Sequence, residues 1–282
     1  MELYDAIFYR RTIRNYSNKN INAPLMEEVK KICNDITYLN EDLRIKAHVV
    51  ERGHLIHLLM GKKCKIKAPH YIVVTSNKGE DYLQNIGFAI EKVVLQLTTL
   101  GLGTCWLDCS LKREDIMEFI DLDDIETDDV NLNDFEDSCE NENTKNNKED
   151  DIENPYIIIA FGYAQEQEKL FKAIKVDQDR KSIKHISKKM DRKWIKVLNA
   201  VRVAPSIKNC QPWMFYYSKD GIHIYEEKQK KSLENMTHIS MGIALRHFDM
   251  ACEKYNISVT YNKIDKKRKI GKKYYISILE EY

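Results

Sequence analysis

Ile86-Gly87-Phe88-Ala89-Ile90 and Met241-Gly242-Ile243-Ala244-Leu245 share one pattern: apolar, Gly, apolar, Ala, apolar. The first lies in residues 82–100, where Leu83, Ile86, Ile90, Val93, Val94 and Leu97 recur at helical intervals and form a continuous apolar face. Gly101 follows the first motif at the same distance as Asn256 follows the second, and these two residue types most readily take the left-handed conformation that closes a helix. Trp106 then falls opposite Tyr261. A small residue at the same point of each helix lets two backbones cross closely. The pattern predicts two degenerate halves related by duplication, joined through a central helix pair as a pseudo-dimer within one chain. The competing reading is coincidence between two unrelated amphipathic helices.

Residues 3–9 and about 24–36 read as further helices, the second with Pro24 near its start and Leu25, Val29, Ile32 and Ile36 on one face. Residues 47–50, 71–74, 104–108, 156–162 and 213–217 read as strands; the fourth is a continuous apolar run between Pro155 and Gly162, the pattern of a buried strand. Residues 121–153 are dense in Asp, Glu and Asn with few apolar anchors. They read as a solvated or disordered insertion, with an acidic docking surface as the alternative. The division expected is a first half at 1–190 and a shorter second half at 191–282.

The chain has 282 residues, 43% of them hydrophobic, which allows a substantial core. Lys and Arg number 45 against 44 Asp and Glu, so a net charge of +1 gives no general attraction to nucleic acid or an anionic membrane. No apolar run approaches the roughly 18 residues that span a bilayer, and Met1-Glu2-Leu3-Tyr4-Asp5 carries acids where a secretion signal carries bases. A cytoplasmic protein is expected, and seven scattered cysteines fit reduced thiols. Cys105 and Cys109 are the only close pair, and His54 with His57 adds no specific ligand spacing, so a metal centre is disfavoured.

Arg10, Arg11 and Arg14, with Thr12 among them, put three guanidinium groups within five residues at the end of the first helix. Guanidinium forks match phosphate oxygens, and each charge-assisted hydrogen bond contributes about 1.5–3 kcal/mol. Taken alone, the cluster also suits a solvated basic turn. A second concentration of unusual residues is Ala204-Pro205-Ser206-Ile207-Lys208-Asn209-Cys210-Gln211-Pro212-Trp213. Pro205 disfavours a helical Ala204 and so ends the apolar helical run 194–201. Ser206 and Asn209 suit bonding to backbone or ligand, and Pro212 fixes the path into the strand at Trp213. A plain helix-to-strand turn is the simpler alternative, but it does not need so many special residues.

Arg10-Arg11-Thr12-Ile13-Arg14, Gly101-Leu102-Gly103-Thr104-Cys105-Trp106 and the 204–213 loop together resemble the nitroreductase family of flavin mononucleotide (FMN) enzymes. The resemblance covers most of the chain except the acidic insertion, and implies an α+β fold with a central, mostly antiparallel sheet flanked by helices. In ordinary members the Pro-Ser loop follows soon after the Arg cluster, and a homodimer holds two flavins at its interface. Here residues 34–44 take that early place and lack the loop, which appears in the second half. A fused, degenerate pseudo-dimer would keep one site, with its phosphate end from one half and its loop from the other. The second site should be lost, because Asp191-Arg192-Lys193 does not restore an Arg-Arg-x-x-Arg before the loop.

By position, the resemblance implies that Arg10, Arg11, Thr12 and Arg14 meet the phosphate and the ribityl or pyrimidine edge, and that Pro205, Ser206, Ile207 and Asn209 line the ring. Asp108 would approach the flavin, although Cys109 replaces a common glycine beside it, and Arg180 with Lys181 would complete the phosphate clamp. The implied activity is hydride transfer from NAD(P)H through FMN to a small acceptor such as a nitroaromatic or quinone, by a monomer or homo-oligomer, with the chemistry on the flavin. The alternatives are a flavin-binding or sensory protein without turnover and a structural protein that has lost the cofactor.

Overall fold

The computed structural model describes residues 1–122, 152–172, 179–264 and 271–281; most of the acidic insertion, at 123–151, lies outside them. In the first half, α1 (Leu3–Tyr9) and α2 (Ala23–Asn34) precede β1 (Lys46–Val50), α3 (Gly53–Met60), β2 (His70–Ser76), α4 (Tyr82–Thr99), β3 (Gly103–Asp108), α5 (Arg113–Ile116) and β4 (Asn154–Gly162). In the second, α6 (Ile183–Ile186), β5 (Ser187–Lys188) and α7 (Arg192–Val201) precede β6 (Trp213–Ser218), β7 (Gly221–Glu227), α8 (Glu234–Lys254), β8 (Val259–Asn262) and β9 (Lys272–Glu280).

The strand order is β1-β2-β4-β3 in one sheet and β6-β7-β9-β8 in the other, where β5 adds one short strand beside β6. Among the named strands β5 pairs with β6 in parallel, and the other named pairings are antiparallel. The same strand order around a long helix in each half is the duplication that the glycine motif predicts. The antiparallel sheet is divided in two, one sheet per half, and the chain has already joined the second sheet at Ser187. Element ends differ from expectation by a few residues for local reasons. α2 begins at Ala23 because the Asn22 side chain accepts from the Leu25 amide at 3.0 Å and caps it.

The helices α4 and α8 cross at their glycines. A Cβ on Gly87 would lie 2.0 Å from the Ile239 carbonyl oxygen, and one on Gly242 1.8 Å from that of Gln84, so no side chain fits at either point. Gly101 follows α4 at φ 80° and Asn256 follows α8 at φ 53°, both left-handed as the matched closures require. Ile86, Ile90, Val94 and Leu97 on α4 and Leu245 and Phe248 on α8 are wholly buried in one core that runs through both halves. Each such side chain contributes about 1.5–3 kcal/mol on burial. Phe248 stacks between Trp194 and Phe215, with ring centroids 5.6 and 5.8 Å away, and so ties α7 and β6 to the central pair.

One carboxylate sits in this apolar core and is satisfied on both oxygens. Glu91 of α4 faces His247 Nε2 of α8 at 2.9 Å through one oxygen and accepts from Trp106 Nε1 at 3.2 Å through the other. His247 Nδ1 in turn lies 3.0 Å from the Ala200 carbonyl. Because buried polar groups are costly unless paired, this set fixes the register of the two halves.

Candidate functional site

The arginine cluster leaves the end of α1 and is held in place by its backbone. Thr12 bridges Thr104 in parallel, and the Ile13 amide donates to the Thr104 carbonyl at 3.0 Å, so the segment lies along β3. Ile13 is wholly buried against Gly103, where a Cβ would come within 2.6 Å of it. The Gly-Leu-Gly stretch thus serves two purposes: Gly101 closes the helix and Gly103 admits Ile13. On the other side Glu168 accepts from the Arg14 and Asn15 amides at 3.1 and 2.8 Å. Burial tends to raise the Glu168 carboxyl, but those two amides, the Asn15 side chain and the Arg11 charge together outweigh it and hold it below the usual carboxylate range.

The 204–213 loop arrives from the second half. Lys208, Asn209 and Gln211 have φ of 47°, 56° and 46°, conformations that cost a non-glycine residue about 1 kcal/mol or more each unless their surroundings enforce them. The enforcement is visible. Ser206 Oγ accepts from the Gln211 amide at 3.0 Å, and the Ile207 amide donates to Ser240 Oγ on α8 at 3.1 Å. The side-chain amides of Asn209 and Gln211 donate to the Asp179 carbonyl at 2.9 and 3.1 Å, while Arg180 donates to the Ala204 carbonyl at 2.6 Å.

Loop and cluster face each other across a cavity of about 440 Å³. Arg10, Arg11, Thr12 and Arg14 line one side and Pro205, Ser206 and Asn209 the other, with Arg180 at the edge. A smaller, more apolar cavity of about 250 Å³ continues from it, and Thr12, Arg14, Pro205, Ser206 and Lys208 line both. Ile207, Trp106 and Leu107 belong to the second cavity, as does one face of α8 formed by Met236, Ile239, Ser240 and Ile243. Cys105 also lines it; burial pushes its thiol up, against the pull of Arg10 and Arg14, so it is present as the neutral thiol.

Arg10 is the informative side chain. It is 6% exposed, and its Nε and Nη2 are buried with no hydrogen-bond partner among the described residues. A buried guanidinium left with free donors is costly by itself and is relieved by an anion in the cavity it lines.

Nine of the eleven residues singled out from the sequence line these two joined cavities. Two do not. Asp108 is exposed at the end of β3, where the strand has left the cleft. Lys181 turns behind the loop: its Nζ donates to the Gln211 carbonyl and the Glu227 carboxylate, each at 3.0 Å, and its amide donates to Gln211 Oε1 at 2.8 Å. It braces the loop and leaves Arg180 alone to face the cavity. Sequence reasoning missed Lys172, Lys208 and His247 in the first cavity and the α8 face in the second. Ser240 amid apolar neighbours was the available signal for that face.

The first-half counterpart of the 204–213 loop is held by the matching helix. Asn85 and Ser240 each stand two residues before their helix glycine, and Asn85 Oδ1 accepts from the Leu39 and Asn40 amides at 2.7 and 3.2 Å, holding the 34–44 loop as Ser240 holds its own. Arg246 then reaches across from α8, donating to the Phe88 carbonyl at 2.8 Å and to the Thr37 carbonyl and hydroxyl at 2.9 and 2.8 Å. Its guanidinium lies 3.5 Å from the centre of the Phe88 ring, so a side chain already takes the flank of that loop.

The sequence model of the family described as "Putative TM nitroreductase" matches residues 2–125 and 137–252. The chain belongs to this nitroreductase family. The crystal structure of a putative nitroreductase from Thermotoga maritima is similar in fold, at 19% identity and a TM-score of 0.59, over 94% of this chain and 91% of that one. A putative NADH oxidase from Clostridium acetobutylicum aligns at 19% identity and a TM-score of 0.42, over 67% of this chain and 100% of that one. An FMN-dependent nitroreductase from Clostridium difficile aligns at 18% identity and a TM-score of 0.39, over 60% and 91%. No curated protein matches. This nitroreductase-family chain therefore has the α+β pseudo-dimeric fold expected of it, and among its described residues no helix is long and apolar enough to cross a membrane.

Proposed function

We propose that this nitroreductase-family protein binds one FMN across the two joined cavities and uses it to reduce a small acceptor at the expense of NAD(P)H. The observation that carries the reading is Arg10, a buried guanidinium with unpartnered donors in a cavity whose opposite wall is the Pro205-Ser206 loop. Arg10, Arg11 and Arg180 suit the phosphate end, and Thr12 and Arg14, which line both cavities, suit the middle of the molecule. The more apolar cavity, between Trp106 and the Met236, Ile239 and Ile243 face, suits a flat aromatic ring.

The chemistry such a group supplies when bound is two-electron transfer from a reduced nicotinamide to an acceptor, for which nitroaromatics and quinones are the test compounds. The chain's own part is to orient, exclude water and balance charge, and Arg14 is placed to offset negative charge gained on reduction. The test is anaerobic mixing of FMN-loaded protein with NADH or NADPH. Bleaching of the flavin absorbance, restored by a nitroaromatic or quinone, is expected. Bound flavin that neither donor bleaches would contradict turnover and leave a flavin-binding protein.

A further inference from the structure

We propose that the adenosine diphosphate end of the nicotinamide donor docks in a basic pocket of about 470 Å³ beside the cleft, between residues 16–20, the start of α3 and the approach to β2. The proposal rests on the oxidoreductase reading given above. Two stretches of chain connect the pocket to the cleft. Arg14 lines both cleft cavities and Tyr16 lines this pocket; Ile66 lines the apolar cavity, and Lys67, its neighbour at a Cα distance of about 3.8 Å, lines the pocket.

The pocket's chemistry fits a phosphorylated nucleoside. Arg52 and Lys67 are exposed and have no ion pair among the described residues, and His54 and His57 of α3 stand beside them. Glu51, the one acid in the lining, is already paired with Lys30 at 2.9 Å. His70 is 7% exposed, and its Nδ1 lies 2.8 Å from the Glu51 carbonyl. A carbonyl only accepts, so Nδ1 carries the proton and Nε2 presents a lone pair. Burial, the larger influence, holds this imidazole below its usual range and so neutral.

His70 Nε2 is buried without a partner, as is His57 Nδ1. The pocket thus combines unpaired cations with a buried acceptor, and a ligand bearing both phosphate and a hydroxyl or amine donor satisfies both. A metal ion does not fit as well, since no three His, Cys, Asp or Glu side chains among the described residues come together to hold one. The frame is closely packed: the Gly53 amide donates to the Pro69 carbonyl at 2.9 Å, and a Cβ there would lie 2.4 Å from the Ala68 carbonyl oxygen.

The test compares a full donor with a truncated one. Arg52→Ala/Lys67→Ala should raise KM for NADH or NADPH about tenfold, the loss of a charge-assisted contact, with FMN content and KM for reduced nicotinamide mononucleotide unmoved. An equal effect on both donors, or no effect on either, overturns the proposal. Turnover is not needed for the second arm, in which adenosine diphosphate is titrated into FMN-loaded protein and the histidine NMR signals are followed. Shifts at His54, His57 and His70 that vanish in the double variant are expected, and their persistence in that variant overturns the site. Shifts in a protein whose donor KM is unmoved by the variant mean a free nucleoside diphosphate site and overturn donor docking. Flavin that NAD(P)H cannot bleach, in a protein that still shows the shifts, marks failure of the oxidoreductase reading itself.

Discussion

Arg10 separates a packing account of the cleft from a binding one. A residue buried for packing alone would have its guanidinium donors satisfied within the protein, as Arg246 does at Phe88, Thr37 and Asp249. Arg10 has two that are not. Arg10→Ala should therefore weaken FMN at least tenfold while leaving the thermal midpoint unchanged or slightly raised, because the substitution removes an uncompensated buried charge. Isothermal titration together with a melting curve reads both, and a lowered midpoint with unchanged FMN affinity would assign Arg10 to the scaffold. Arg10, Arg11, Thr12 and Arg14 were legible as one group because their spacing is local, and the structure brings all four to one cavity. Lys181 and Asp108 were not, because which way a side chain leaves the backbone depends on neighbours such as Gln211 and Glu227 that lie far along the chain.

Among the elements, the helix crossing and the sheet edge each carry a measurable consequence. Gly242→Ala places a methyl group where the Gln84 carbonyl oxygen already sits, so it should cost about 3 kcal/mol in denaturant unfolding and loosen FMN by displacing the Ser240 end of α8. A substitution that left both unchanged would refute the tight crossing. This contact was readable from the two Gly-x-Ala motifs, since only a residue without a Cβ permits such an approach.

Glu153, at the edge of the sequence's acidic stretch, was not foreseen as structural. It is 5% exposed at the start of β4 and takes hydrogen bonds from His48 on β1 and Thr75 on β2, with Lys46 nearby. Burial raises its carboxyl, but the bonds from His48 and Thr75 and the charge on Lys46 prevail and hold it at about 2. Because the folded state depresses this group, its contribution is present above the unfolded pKa, near 4.3, and is lost as pH falls through about 2. Glu153→Gln should thus cost about 2 kcal/mol at pH 7, and the difference should vanish by about pH 2. A penalty independent of pH would assign the effect to packing.

For the whole molecule, duplication followed by divergence explains why the loop and the arginine cluster lie far apart in sequence yet face each other. The matched strand orders show that the halves share a plan, and Arg246 bound to the 34–44 loop shows how the first half diverged from the second. The plan was legible because glycine pairs and left-handed closures leave a mark in sequence. The separation into two sheets was not, since alternation of apolar residues tells which face of a strand is buried and nothing of which strand lies beside it.

The central claim is a single FMN site made from both halves. Its most direct test is titration of the flavin-free protein with FMN, by fluorescence quenching, alongside Arg10→Ala/Arg14→Ala with its circular dichroism checked. The account predicts one equivalent per chain for the native sequence and none retained by the folded double variant. Two equivalents per chain, or unchanged binding by that variant, would contradict it.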